Sequence, residues 1–142
     1  MASFTDLSIS GTIGNRTLSF SASGVSPVVS NPIDLTAGPA SQLSITQEPS
    51  ALATHGVVFQ RQPIIQLLDA AGNIVSQSGI VVTVTINTFT NNGSLGGTRD
   101  LPTDNSGTAT YTNLKISKAG SYTLKFSASG LTDAISITIL VL

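Results

Sequence analysis

The chain carries one histidine, seven carboxylates, six basic residues and no cysteine, so few kinds of chemistry are open to it. His55 sits between Thr54 and Gly56 in a loop-like stretch. A Ser-His-Asp triad would need it beside one of twenty serines, and no Gly-x-Ser-x-Gly turn is present to expose a nucleophile. A single imidazole cannot build the usual zinc site. The missing cysteines exclude thiol nucleophiles, thiolate zinc and iron–sulfur clusters. His55 is read as a solvated loop side chain. Paired carboxylates could serve glycoside hydrolysis, but Asp6, Asp34, Glu48, Asp69, Asp100, Asp104 and Asp133 nearly all fall in turn-like sequence. There an Asp side chain bonds to the backbone amides just after it.

Calcium needs several oxygen ligands together. Asp69 with Asn73, or Asp100 with Asp104 and Asn105, offers two or three, and Glu48 and Asp34 lie near the Pro/Gly break at 36–39, a boundary of the kind where cadherin-like stalks bind calcium. Acid density is too low to assign a site. Lys115, Lys118 and Lys125 raise the Lys–Asn isopeptide crosslink of some surface sandwiches. Lys125, however, alternates away from Leu124 and Phe126, and Lys118 falls in a turn. There is no Trp, and of the two tyrosines Tyr111 reads as core while Tyr122 is the less certain. A sugar-stacking platform is therefore poorly supplied. No catalytic, cofactor-binding or metal residue is assigned, no cofactor is expected, and the chain is not read as an enzyme.

The elements that would position these residues are strands. Apolar residues alternate with hydroxyls at Ile80-Val82-Val84-Ile86, Tyr122-Leu124-Phe126-Ala128 and Ile135-Ile137-Ile139-Val141, the mark of half-buried strands. Further strands are expected at 43–47, 57–68 and 110–116, and no stretch has helical period. Turn sequences fall between them, at Asp69-Ala70-Ala71-Gly72-Asn73, Asn91-Asn92-Gly93, Leu95-Gly96-Gly97 and Asp104-Asn105-Ser106-Gly107. About seven short strands predict an all-β, immunoglobulin-like sandwich. The expected interior holds Leu43, Ile65, Leu67, Val82, Val84, Leu124, Phe126, Ile137 and Ile139.

Composition agrees. Charged residues are 9% of the chain, against about a quarter in typical soluble domains. Twenty Ser and eighteen Thr take their place, which keeps a surface wet without a strong field and favours strands. Six basic against seven acidic residues leave no excess to neutralise phosphates, so no nucleic-acid partner is expected. The opening Met1-Ala2-Ser3-Phe4 leads straight into alternating sequence, and the longest apolar run, 137–142, is too short to cross a bilayer. No membrane insertion is expected, and any export signal would lie outside this stretch.

The most informative feature is an internal repeat. ASFTDLSIS at 2–10 matches ATYTNLKIS at 109–117, and GNRTLSFSASG at 14–24 matches GSYTLKFSASG at 120–130. Thirteen of these twenty aligned positions are identical, at a period of 106–107 residues. Two domains are expected: 1–37, the last third of one repeat (strands at 7–10, 17–23 and 28–35) with its linker, and 38–142, one whole repeat; the alternative is a single domain with an internally duplicated hairpin. Thr36-Ala37-Gly38-Pro39 supplies the break between them.

Gly38-Pro39-Ala40-Ser41-Gln42-Leu43-Ser44-Ile45, Pro63-Ile64-Ile65-Gln66-Leu67-Leu68-Asp69-Ala70-Ala71-Gly72-Asn73, Gly107-Thr108-Ala109-Thr110-Tyr111 and Ala119-Gly120-Ser121-Tyr122-Thr123-Leu124 resemble the bacterial Ig-like tandem repeats of large surface proteins, the group related to invasin and intimin stalks. The resemblance covers the whole chain. It implies serial sandwiches outside the cell or on its surface, with a structural or adhesive role as stalk or spacer and neighbouring repeats as partners. The alternative is a binding module whose sandwich-end loops recognise a glycan or a host protein. The apolar faces of 1–37 (Leu7 with Ile9, Leu18 with Phe20 and Ala22, Ile33 with Leu35) are too few to stand alone. They are expected to pack on the intact sandwich or, by strand exchange, to self-associate through this segment or pair with an open edge of another chain.

Overall fold

A computed structural model describes all 142 residues and contains no helix. Fifteen strands follow in order: β1 (Gly14–Arg16), β2 (Ser19–Ala22), β3 (Val25–Val29), β4 (Ile33–Leu35), β5 (Gln42–Gln47), β6 (Leu52–Ala53), β7 (Ile64–Leu68), β8 (Val81–Phe89), β9 (Leu95–Gly96), β10 (Asp100–Pro102), β11 (Thr108–Thr110), β12 (Lys115–Ile116), β13 (Gly120–Ser127), β14 (Ala134–Ile135) and β15 (Ile139–Val141). The protein is an all-β sandwich with a hairpin unit attached in front.

One sheet runs β10-β8-β13-β15-β6, with β14 also on β13, and the facing sheet runs β11-β7-β5. Alternation explains the pairing. In β8 and β13 the inward positions Val82, Val84, Tyr122, Leu124 and Phe126 are all completely buried, while the intervening Thr and Lys side chains stand on the other face. From the second sheet Leu43, Ile65 and Leu67 meet them, closing one core of sixteen buried apolar residues. Tyr111 lies in it, its ring 5.6 Å from that of Phe126 and its hydroxyl donating to the Val82 carbonyl at 2.8 Å. Burial, helped by the charge of Asp100, pushes the phenol far above its ordinary pKa. Gly107 shows why one turn needs glycine: its φ is +74°, and a Cβ there would run into the Val75 carbonyl.

The structure departs from the expected strands at several places. Residues 38–142 hold eleven short strands, β5–β15, where about seven were expected: breaks divide 110–116 and 135–141, β6 and β10 form outside the expected runs, and Leu95–Gly96, expected as a turn, pairs with β12 as β9. Residues 57–63 are loop. The side chain of Gln62 ties them to Leu114, donating to the carbonyls of Phe59 and Leu114 and accepting from the Leu114 amide at 3.0 Å, and isolated backbone bonds such as that from the Phe59 amide to the Leu114 carbonyl take the place of a continuous ladder. The run 110–116 breaks because Tyr111 and Leu114 are both buried, a spacing that period-two alternation cannot satisfy. Ile137 lies outside, 41% exposed, while Ser136 is buried. The Ser136 hydroxyl accepts from the Leu124 amide at 2.9 Å and donates to the Ile137 carbonyl at 2.8 Å. That bonding turns Ser136 inward and leaves both Ile137 and Thr138 outside before Ile139 re-enters the core. Residues 7–10 form no strand. Their counterparts near 114–117 lean on Gln62 and β9, and nothing equivalent stands beside them.

The attached unit copies the geometry at the other end of the chain. Gly14, Asn15 and Arg16 face Leu35, Asp34 and Ile33, as Gly120, Ser121 and Tyr122 face Val141, Leu140 and Ile139. Phe20 faces Val28 as Phe126 faces Ala134. Even the serine device recurs: the Ser30 hydroxyl accepts from the Leu18 amide at 2.9 Å and donates to the Asn31 carbonyl at 2.9 Å.

Candidate functional site: the Asp69–Asn73 junction

The strand β7 ends at Leu68, and the next residue is Asp69, whose amide bonds to the Asn73 carbonyl at 2.9 Å and whose carbonyl takes the Gly72 amide at 3.1 Å. Gly72, at φ +85°, supplies the left-handed residue that the turn needs. The turn is tied from inside by its first side chain. One Asp69 oxygen, Oδ1, accepts the amides of Ala71 at 2.9 Å and Asn73 at 2.8 Å. The other, Oδ2, accepts the Asn73 side-chain amide at 2.9 Å and the Gly38 amide at 2.9 Å. The last of these bonds comes from the linker.

Asn73 then reaches across to the hairpin unit. Its Nδ2 donates to the Gly11 carbonyl at 2.9 Å, and its Oδ1 accepts the Ile13 amide at 3.1 Å. A side-chain amide is suited to this, because one group both donates and accepts against a passing backbone. Asp69 and Asn73 are 4% and 8% exposed, but Gly11 and Ile13 lie at the surface, so the bonds between them are only partly shielded from water. Beside them Ile9 and Leu35 of the front unit line a cavity together with Pro39, Ala70 and Ala71. The four acceptor contacts hold the Asp69 carboxyl at a pKa of about 2, the Asn73 side-chain amide being the largest cause and the Gly38 amide the next.

A lowered pKa makes the folded arrangement stronger above the unfolded value and lost as pH falls through the folded one. The junction is therefore expected to stay closed at neutral pH and down to about 4, then loosen as pH drops toward about 2. Amide signals of Ile13 and Gly38, followed by NMR during acid titration, check this. Opening that begins above pH 5, or none by pH 2, would contradict it.

The other residues weighed in the sequence are scattered. His55 is exposed and lies at the far end of the sandwich, where its Nδ1 and backbone amide both stand 2.9 Å from the Leu142 carbonyl. Asp104 Oδ1 accepts the amides of Ser106 and Thr108 in its turn, Asp100 takes the Thr83 hydroxyl, and Glu48 takes the Ile137 amide at 3.1 Å. No three His, Asp or Glu side chains come together as a metal cluster. Asp69 and Asn73 share one site, but each of their side-chain oxygens already accepts an N–H. Lys115 and Lys118 are exposed, and Lys125 lies 3.9 Å from Asp133 across a half-exposed gap, a contact of little energetic weight. Both tyrosines are buried, Tyr122 donating to the Lys118 carbonyl at 3.0 Å, so neither presents a ring face to a sugar.

Sequence reasoning singled out Asp69 and Asn73 as a turn, not as an interface. The Asp-x-x-x-Asn spacing is a turn signal, and nothing in it says that Gly11 and Ile13, some sixty residues earlier, complete the site. Fold and junction together define an all-β sandwich protein whose 69–73 turn is hydrogen-bonded to Gly11, Ile13 and Gly38. No family model matches the chain, and a search of curated proteins found no similar sequence.

Proposed function

We propose that this chain is a structural segment of an extracellular stalk built from bacterial Ig-like repeats, in which one sandwich is locked to the end of the one before it. Its work is mechanical: the units set reach, and the junction sets stiffness. One observation carries the reading, the two-way grip of Asn73 on Gly11 and Ile13. A flexible tether would leave that backbone in water. A surface rich in hydroxyls and poor in charge suits display outside the cell, and the dispersed histidine and acids supply no catalytic constellation, so no enzymatic role is assigned.

The test is orientational. Residual dipolar couplings from residues 14–35 and from 38–142 should fit a single alignment tensor. Two independent tensors would mean a loose linker and would count against the stalk. A second reading, recognition of a host protein, is favoured by an apolar patch at the far end, where Leu52, Val57, Val58 and Leu142 are 43–60% exposed. Saturable binding to host-protein arrays, lost on changing Val57→Asp, would move the assignment there.

A further inference from the structure

The front hairpin has an unpaired edge whose proper neighbour can be read from the other end of the chain. In the intact sandwich β13 is flanked by β15 and β14 on one side and by β8 on the other. The front unit reproduces the first side, register for register, and has nothing on the second. Its counterparts of β13, β1 and β2, therefore have no strand on their outer edge, where only the Asn15 carbonyl finds a partner, the Arg16 guanidinium at 3.0 Å. The side chains tell the same story. Leu124 and Phe126 are completely buried, whereas their counterparts Leu18 and Phe20 are only half-buried. Phe4 and Leu7 are 59% and 58% exposed, where their counterparts Tyr111 and Leu114 are 2% and 0% exposed.

We infer that the edge at residues 16–21 accepts a donor strand of the β8 type, alternating Val or Ile with Thr, from the earlier part of a preceding copy on the same polypeptide. This rests on the tandem-stalk reading above. The register is defined by the β13–β8 pairing: Phe20 stands opposite the donor's counterpart of Val84, Leu18 opposite that of Ile86, and Arg16 opposite that of Phe89. The β8 sequence Val81–Phe89 carries no charge, and the accepting edge carries only Arg16, so no repulsion opposes the pairing. An intact second molecule is a poor donor. Its β8 is already held by β10 on one side and β13 on the other, and the outer edge of β10 offers Pro102, which lacks an N–H. A copy whose own last third is this hairpin is the source that has such a strand unpaired.

The experiment adds a peptide of residues 80–90, with lysines at both ends for solubility, to the full-length chain. Saturable NMR shifts should fall on 14–22, and a spin label on the peptide beside its Phe89 position should broaden Arg16 before Phe20. Phe20→Asp should weaken binding by roughly tenfold or more while leaving the signals of Tyr111 and Phe126 unchanged. Three results overturn the inference: no shift at the peptide's solubility limit; shifts at 120–127 instead; or a chain that sediments as a dimer through 14–22 and ignores the peptide, which makes a second copy the occupant. The alignment-tensor measurement uses no peptide, so the stalk reading and this one can fail separately.

Discussion

Phe126→Ala is expected to be among the most damaging single changes in the chain, costing about 3–5 kcal/mol through lost burial and the cavity left behind. The side chain is fully buried and stacks obliquely on Tyr111 at 5.6 Å. Total stabilities of domains this size are about 5–15 kcal/mol, so the melting temperature should fall by roughly 10 °C or more. Phe20→Ala, at the matching place in the front hairpin, should cost under about 1 kcal/mol, because Phe20 touches Phe4 at a half-open surface. Thermal and denaturant melts of the two variants check the contrast. If Phe20→Ala cost as much as Phe126→Ala, the hairpin and the sandwich would have to share one core.

Asn73→Ala is expected to free the front unit without unfolding the sandwich. The change removes the bonds to Gly11 and Ile13, and it strips Asp69 of the side-chain amide that most lowers its pKa. The bonds from Ala71 and Gly38 to Asp69 remain, so the turn itself should persist. Unsatisfied groups at such a site cost about 1–3 kcal/mol, most of it here in the contact between units. Asn73→Asp should do more harm than alanine at neutral pH, since it replaces a donor to Asp69 by a second carboxylate. The readouts are protease cleavage between residues 11 and 38 and the number of alignment tensors. Cleavage unchanged from the parent chain, with one shared tensor, would show that the grip lies elsewhere.

Most of the fold class was legible because alternation is a local property. At 81–86 and 122–126, where apolar residues alternate with Thr and Lys, the strands formed and the expected Val82, Val84, Leu124 and Phe126 went inside. Ile137 failed that logic for a reason alternation cannot express. Its neighbour Ser136 is small enough to turn inward and bond both the Leu124 amide and the Ile137 carbonyl, which costs the strand its phase. Residues 57–62 failed for a similar reason. They read as strand, but their backbone groups are taken singly by Thr54, Leu114, Ser50 and the Gln62 side chain instead of by one neighbouring strand. The turn at Asp69–Asn73 was also legible, down to the Asp that caps it and the Gly that permits it. Its role between units was not.

By itself the sequence determined the class of structure, the exclusion of thiol, zinc-thiolate and triad chemistry, and the likeness of 2–24 to 109–130. These depend on residue type and on spacing along the chain. Tertiary structure alone decided that Asn73 grips Gly11 and Ile13, that Tyr122 is buried, and that the front hairpin keeps the register of the rear one while lacking its neighbour. Those facts depend on which distant backbone arrives beside a given side chain. That is settled by how the two sheets close over Phe126 and Tyr111, and no spacing in the chain records it.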